Sequence, residues 1–305
     1  MKCIICEKDK DKLTEEHIFP DSIGGTLTQY NVCKTCNDLL GHNVDHHLVD
    51  HELIQFERHQ LNIRGKSGKL PNPLEKGVID NERQQKVLYR FDYEGKPKEL
   101  YLVPSQDVKV NDDQSIDITI SIDKKDKSKL PEMINKTLRR NGKKELTLEE
   151  IEALSVEFVD EKPIMKIQQK IDIHHYKRAI LKIAYELAHY WIGEDYFKDS
   201  TGNMIKNCFL DNELPFEFYE RYPIKGKIEI RNKENPIVQD LWPEEPHNHI
   251  AFMIKEGEQI NCFIRIFSVF EAMIRISEHA SNYPHFKENF ISINPVSGDI
   301  RDSIY

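Results

Sequence analysis

The sequence has no long apolar run and no surplus of positive charge. No stretch reaches 18 consecutive apolar residues, so we expect no transmembrane helix. No apolar segment follows Met1, so we expect no secretory signal peptide and a cytoplasmic location. The net charge of −9 provides no overall attraction for nucleic acid. Only a local basic patch or a bound dication would serve that purpose.

Cysteine is scarce, and four of the six cysteines lie in two close pairs. The pairs are Cys3-x-x-Cys6 and Cys33-x-x-Cys36. In a reducing compartment such pairs are more often metal ligands than disulfides, and four thiolates form a closed tetrahedral cage for Zn²⁺. We therefore predict a structural zinc site that leaves no position open for catalysis. A segment this short needs such a staple because it buries too little apolar surface to fold alone.

A second set of polar and turn residues lies between and beside the two cysteine pairs. In chain order this set comprises Glu16-His17, Pro20, Gly24-Gly25, Asn31 and Asn37. With this order of residues the chain resembles the HNH, or ββα-metal, endonucleases, in the subgroup that carries two Cys-x-x-Cys pairs. The resemblance extends over residues 3–45.

The resemblance implies a role for each matching residue. His17 is the implied general base that takes a proton from the attacking water, a step for which a neutral imidazole is suited. Glu16 and Asn37 are the implied ligands of a catalytic Mg²⁺ or Mn²⁺, since hard oxygen ligands suit these ions better than zinc. Asn31 is implied to hold the hairpin and orient His17. The expected reaction is hydrolysis of DNA to a 5′-phosphate and a 3′-hydroxyl.

The biological setting that the resemblance implies is restriction or anti-phage defence. One HNH module cuts one strand, so double-strand cleavage needs a homodimer or two successive nicks. Two alternatives stay open: a zinc-ribbon module that binds nucleic acid without catalysis, and an HNH nuclease that acts on RNA or is an effector activated by a protein partner.

The remainder of the chain predicts an α+β fold. We expect a zinc-stapled ββα-metal module over 1–62, a linker or crossing loop over 63–85 and a larger α+β domain over 86–305, for target recognition or regulation. Strand patterns and helix patterns alternate in the last region. The expected strands are 87–93, 99–103, 116–122, 227–231, 249–254 and 260–267, and the expected helices are 148–157, 173–192 and 268–279.

Two further groups of side chains have an open interpretation. Lys177, Arg178 and Lys182 lie opposite the apolar stripe of the 173–192 helix, where a solvated face or a phosphate patch is expected. A local histidine cluster follows the second cysteine pair. Its members are interpreted either as solvated residues of a helix or as additional ligands of a metal site. Its members are His42, His46, His47 and His51.

Overall fold

The computed structural model describes residues 1–80, 84–154, 163–168, 172, 174–211 and 247–304. The chain divides into two compact units. The first joins Met1–Pro73 to Lys170–Tyr305, and the second is Leu74–Gln169. Residues 86–305 are thus shared between the two units. The predicted domains, which concern function as well as packing, stay a prediction. No helix in the described ranges is long and apolar enough to cross a membrane.

The N-terminal segment folds as a hairpin followed by a helix. Strands β1 (Thr14–His17) and β2 (Thr28–Val32) are antiparallel. Helix α1 (Lys34–Leu40) begins directly after Cys33. The chain then continues through one π-helical turn into α2 (His46–Val49) and restarts as α3 (Glu52–Gln60). Buried residues recur every four positions at Leu40, Val44 and Leu48, which explains why the helical path continues.

The second unit, Leu74–Gln169, contains two small antiparallel sheets and two helices. One sheet has the strand order β5-β4-β3-β8, and the other pairs β6 with β7. Its small core packs Ile134, Leu138 and Ile151 against the alternating isoleucines of β7. The elements are β3 (Lys76–Ile79), β4 (Lys86–Phe91), β5 (Pro97–Leu102), β6 (Ser105–Val110), β7 (Ile116–Ser121), α4 (Leu130–Arg140), α5 (Leu148–Glu152) and β8 (Met165–Lys166).

The C-terminal part of the first unit packs two helices against a five-stranded antiparallel sheet. The strand order is β11-β10-β9-β12-β13. Helix α6 is buried over most of its surface and shares one hydrophobic core with the sheet and with the N-terminal segment. The elements are α6 (Tyr176–Ile192), α7 (Ser200–Leu210), β9 (His249–Glu256), β10 (Gln259–Ile266), β11 (Phe270–Ser277), β12 (Asn289–Ile293) and β13 (Ile300–Ile304).

The mixed α+β fold is confirmed, and so are most of the predicted elements. The helix expected at 148–157 begins after a capping box formed by Thr147 and Glu150, but it ends at Glu152. The helix expected over 268–279 is wrong. Residues 270–277 form β11, in which buried and exposed residues alternate with the period of two typical of a strand. The strand expected at 227–231 lies outside the described residues.

Candidate active site

The four cysteines converge on one point. The Sγ atoms of Cys3, Cys6, Cys33 and Cys36 all lie within 4.8 Å of one another. Tetrahedral zinc with Zn–S bonds of about 2.3 Å places its sulfurs about 3.8 Å apart, so the cluster has the size of a zinc cage. The predicted grouping is confirmed, and of the residues that the structure describes, no other three cysteines, histidines or carboxylates approach closely enough to share an ion.

Backbone contacts hold the first cysteine pair in place. The backbone N–H of Cys3 donates to Lys8 O at 3.1 Å, and Glu7 adopts a positive φ of 55° that closes the turn. Ile4 N–H donates to Asn31 O at 3.0 Å, and the Tyr185 hydroxyl of α6 donates to Ile4 O at 2.7 Å. The turn that carries Cys3 and Cys6 is therefore supported by β2 on one side and by α6 on the other.

The protein environment shifts the pKa of Cys3, Cys33 and Cys36. Burial raises the pKa of Cys3 and Cys36. Burial also opposes ionisation of Cys33, but hydrogen bonds from the Cys36 backbone and the neighbouring thiols lower its pKa to about 7. Four thiolates at this separation repel one another, and a bound Zn²⁺ would remove that repulsion.

His17 stands at the end of β1, half-buried, and is paired with Thr28 of β2. Among the described residues, no hydrogen-bond partner contacts its imidazole ring, so both ring nitrogens are available to a water or a phosphate. Hydrogen bonds hold the backbone at His17 and at the residue that follows it. His17 O accepts a hydrogen bond from Lys182 Nζ at 2.9 Å, and the next residue, Ile18, donates its N–H to Leu27 O at 3.0 Å.

Asn37 lies on α1 and connects this helix to β1. Its Nδ2 donates to Glu15 O at 2.7 Å and to Thr14 Oγ1 at 3.3 Å. The amide nitrogen is thus occupied, whereas the side-chain carbonyl oxygen is the atom able to bind a cation. The Asn31 Oδ1 atom is buried and has no hydrogen-bond partner within the described part of the chain. The backbone carbonyl of Asn31 supports the first cysteine pair.

Glu16 points away from the His17 side of the strand and into the protein. Only 4% of its surface is exposed, and adjacent residues of a strand face opposite sides of the sheet. Glu16 Oε1 lies 2.6 Å from Nζ of Lys182, a residue of α6 that is completely buried. Asp45 Oδ2 and Glu186 Oε2 lie 3.4 and 3.2 Å from the same Nζ. We call Glu16, Asp45, Lys182 and Glu186 the Lys182 cluster.

The Lys182 cluster contains more negative than positive groups. Burial raises the pKa of Asp45 to about 6 even though Lys182 opposes this change. Burial also raises the pKa of Glu186 well above its usual range. Burial alone would lower the pKa of Lys182, but Asp45, Glu186 and Glu16 raise it instead. The lysine is therefore charged, and burial favours the protonated form of both Asp45 and Glu186.

The loop after His17 is docked on the C-terminal sheet. Gly24 has a φ of 86°, and a Cβ there would lie 2.3 Å from Pro295 O. A Cβ on Gly25 would lie 2.0 Å from Phe19 O. His249 of β9 contacts Ile23 O through Nε2 at 2.9 Å. The two glycines of the motif are thus required by close backbone approaches that no larger residue permits.

The histidine cluster forms a stacked row. The ring centroids of His46 and His47 are 3.8 Å apart, and His47 lies 4.9 Å from His175 at the start of α6. His175 Nδ1 contacts Asp172 Oδ2 at 2.7 Å. Burial lowers the pKa of His46 and brings that of His47 to about 4. His46 and His47 therefore pack as neutral rings, while His51 is buried and forms the N-cap of α3.

Lys182 is the residue of this region that the sequence interpretation missed. The sequence places it on a solvated face or in a phosphate patch, but Lys182 is fully buried and Arg178 is 2% exposed. A signal was present in the sequence. Residues 179–188 are apolar except for Lys182 and Glu186, which are four positions apart. A helix that is apolar all round is buried, so its two charged residues are expected to be buried as a pair.

The hairpin, the helix and the four cysteines define a zinc-type ββα module. Residues 3–53 match the model of the HNH endonuclease family, so the resemblance of this segment to HNH endonucleases is confirmed. The match covers about a sixth of the 305 residues. Comparison with curated proteins and with solved structures gives no match.

Proposed function

We propose that this protein is a metal-dependent endonuclease that hydrolyses phosphodiester bonds of DNA to a 5′-phosphate and a 3′-hydroxyl. One observation carries the proposal. Within the described part of the chain, no residue hydrogen-bonds to the imidazole of His17, which stands at the end of a strand in a segment that matches the HNH endonuclease family. The match supports the nuclease class, and DNA as the substrate is a further part of the proposal.

The chain's own residues supply the base and its support. His17 accepts the proton of the attacking water, and a positioned general base of this kind contributes about 10²–10⁴-fold to a rate. Its backbone is fixed by Lys182 and by the β1–β2 ladder, so the ring has little freedom to leave its position. Asn37 holds α1 against β1 beside it. Asn31 stabilises the hairpin and the first cysteine pair through its backbone.

Two metals have separate places in the proposal. The four cysteines fit Zn²⁺ as a closed structural site. A Mg²⁺ or Mn²⁺ ion, when bound, would stabilise the negative charge that develops on the phosphate and the leaving oxygen. Asn37 fits such an ion through its side-chain oxygen. Glu16, the other implied ligand, does not fit as it stands, because its carboxylate is buried against Lys182.

The proposed setting is restriction or anti-phage defence, in which the rest of the chain selects the target. A single active site cuts one strand, so double-strand cleavage requires a homodimer or a second nick. The net charge of −9 fits a nuclease that relies on a protein partner or on local contacts to reach DNA, since the whole molecule does not attract phosphate.

A plasmid cleavage assay with Mg²⁺ or Mn²⁺ tests the proposal. We expect His17→Ala to lower the cleavage rate by about 10²–10⁴-fold while the zinc content stays unchanged. His285→Ala is the matched control because His285 is exposed in the C-terminal segment. Equal cleavage by wild type and His17→Ala would remove His17 from the mechanism. Cleavage of total RNA but not of plasmid would reassign the substrate.

A further inference from the structure

One buried ammonium group contacts both residues of the Glu16–His17 dipeptide. Lys182 Nζ lies 2.6 Å from the Glu16 carboxylate and donates to the His17 backbone carbonyl at 2.9 Å. Lysine has three N–H donors, and these two contacts use two of them. The remaining contacts are to Asp45 and Glu186, at 3.4 and 3.2 Å. The lysine comes from α6, 165 positions after His17 in the chain.

The two acceptors belong to adjacent residues of β1 and contact the same ammonium group. The Glu16 side chain faces α6, and the His17 side chain lies on the opposite face of β1. Lys182 therefore binds β1 on the face of Glu16 and leaves open the face on which the His17 imidazole is accessible. A charge-assisted contact to the side chain and a hydrogen bond to the backbone together restrict both translation and rotation of this peptide.

The same contacts disfavour a second cation on Glu16. A dication bound by Glu16 would lie next to the Lys182 ammonium in a fully buried environment, where like charges repel strongly. None of the Lys182 side chain is exposed, so solvent does not screen its charge. Its other two carboxylate partners also lie within 3.4 Å, so the ammonium is bound from several directions.

We propose that Glu16 is a positioning residue which binds Lys182 instead of the catalytic cation, and that the Glu16–Lys182 pair fixes His17 for catalysis. The inference rests on the proposed nuclease function. It departs from the metal-ligand role that the family resemblance implies for Glu16. Glu16 and Lys182 thus act on the reaction through His17, and neither touches the substrate.

Cleavage kinetics of the full-length protein over a range of Mg²⁺ concentrations separate the two roles of Glu16. Glu16→Gln retains an oxygen that accepts from Lys182 and leaves the lysine paired with Asp45 and Glu186. We expect it to lower kcat by less than tenfold and to leave the half-saturating Mg²⁺ concentration within twofold of wild type. Lys182→Met removes both contacts, and we expect it to lower kcat by about 10–100-fold at unchanged Mg²⁺ half-saturation.

Lys206→Met is the matched control. Lys206 is also buried and pairs with a carboxylate, that of Glu7 directly after the first cysteine pair, but it makes no contact with His17. We expect its kcat to stay at the wild-type value. A fall as large as that of Lys182→Met would show that loss of any buried ion pair has this effect, and would overturn the inference.

Two other results would overturn it. The first is a rise of tenfold or more in the half-saturating Mg²⁺ concentration of Glu16→Gln, which would make Glu16 a metal ligand. The second is a Lys182→Met protein with full kcat. Zinc content and circular dichroism report whether Lys182→Met folds. If it does not, Glu16→Gln alone decides the question. A wild type without nuclease activity fails the proposed function itself, whereas the results above overturn only this inference.

Discussion

His249 is a fully buried histidine whose contacts define its protonation state. Its Nε2 lies 2.9 Å from Ile23 O, so this nitrogen carries a proton, and its Nδ1 accepts from the N–H of Phe267 at 3.3 Å. The ring also stacks on Phe19 in the loop after His17. A second proton on Nδ1 would point at the N–H of Phe267, and the charged ring would lie in an apolar environment. Burial accordingly lowers the pKa of His249 to about 4.

This histidine links folding to pH. In the unfolded chain this histidine binds a proton near pH 6.5, whereas in the folded protein it does so only near pH 4. The stabilising effect of the buried neutral His249 is therefore present above pH 6.5 and is lost as the pH falls towards 4. By pH 5 the wild type should lose about 2 kcal/mol of unfolding free energy through His249. We expect His249→Gln to be less stable at pH 7 and to show a weaker dependence on pH.

Urea unfolding at pH 7, 6 and 5 measures this effect, with exposed His285→Gln as the control. His189 is also buried, which lowers its pKa to about 3, and it contributes in the same direction in both proteins. Parallel pH curves for wild type and His249→Gln would contradict the assignment.

At the scale of residues, short-range spacing carried most of the predictive information. The cysteine pairs, His17 and Asn37 form a local pattern, and the structure confirms that the four thiols converge. The partner of Glu16 was not predictable in the same way. Which buried lysine meets which carboxylate depends on how α6 packs across the hairpin, and this contact spans more than 160 positions.

At the scale of elements, two glycines of the same segment differ in whether their position tolerates a side chain. Gly24 has a positive φ and lies against the backbone of Pro295. Gly41 has a helical φ of −60°, and a Cβ there would meet no atom within 4 Å. The first position excludes a side chain for reasons of conformation and space. The second pays the entropic penalty of glycine in a helix without a structural reason.

We therefore expect opposite signs for two alanine substitutions. Gly24→Ala should lower the unfolding free energy by about 1–3 kcal/mol, since it combines backbone strain with overlap. Gly41→Ala should raise it by about 0.5–1 kcal/mol. Denaturant unfolding of the zinc-loaded proteins measures both. A Gly24→Ala protein as stable as wild type would mean that the loop does not need its docking on Pro295.

The strands and helices show where local patterns suffice. The 87–93 and 99–103 hairpin, the isoleucine strand at 116 and the helix that ends at Gly193 follow from periodicity and turn residues, and the structure confirms them. The segment 268–279 was assigned the wrong period. Buried residues recur at every second position, as in a strand, at Phe270, Ala272, Ile274 and Ile276. The segment forms a strand because it pairs with β10, and this pairing is not visible in the local sequence.

At the scale of the whole molecule, the HNH segment does not have a core of its own. One hydrophobic core includes Cys3, Phe19 and Leu40 of this segment together with α6 and the C-terminal sheet. Polar contacts extend in the same directions, from Tyr185 to Ile4 and from Lys182 to Glu16. The cysteine cluster therefore closes the local turns, while the apolar side chains of the segment share their core with residues after 170.

A fragment of residues 1–73 should show this dependence. We expect it to bind zinc but to cleave DNA at least about 100-fold more slowly than the full chain, because the support behind His17 is missing. Amide hydrogen exchange in β1 should be faster in the fragment as well. A fragment with the activity and protection of the full chain would contradict the argument that α6 completes the site.

The separation of Glu16 from Lys182 along the chain also has a consequence in time. A ribosome that adds about 5–20 residues per second needs roughly 8–33 s to synthesise the 165 positions between His17 and Lys182. During that interval the cysteine pairs have already emerged and are free to take up zinc, but the strand that carries His17 still lacks its anchor. Each newly made molecule thus passes through a period in which the motif is complete but the support behind His17 is missing.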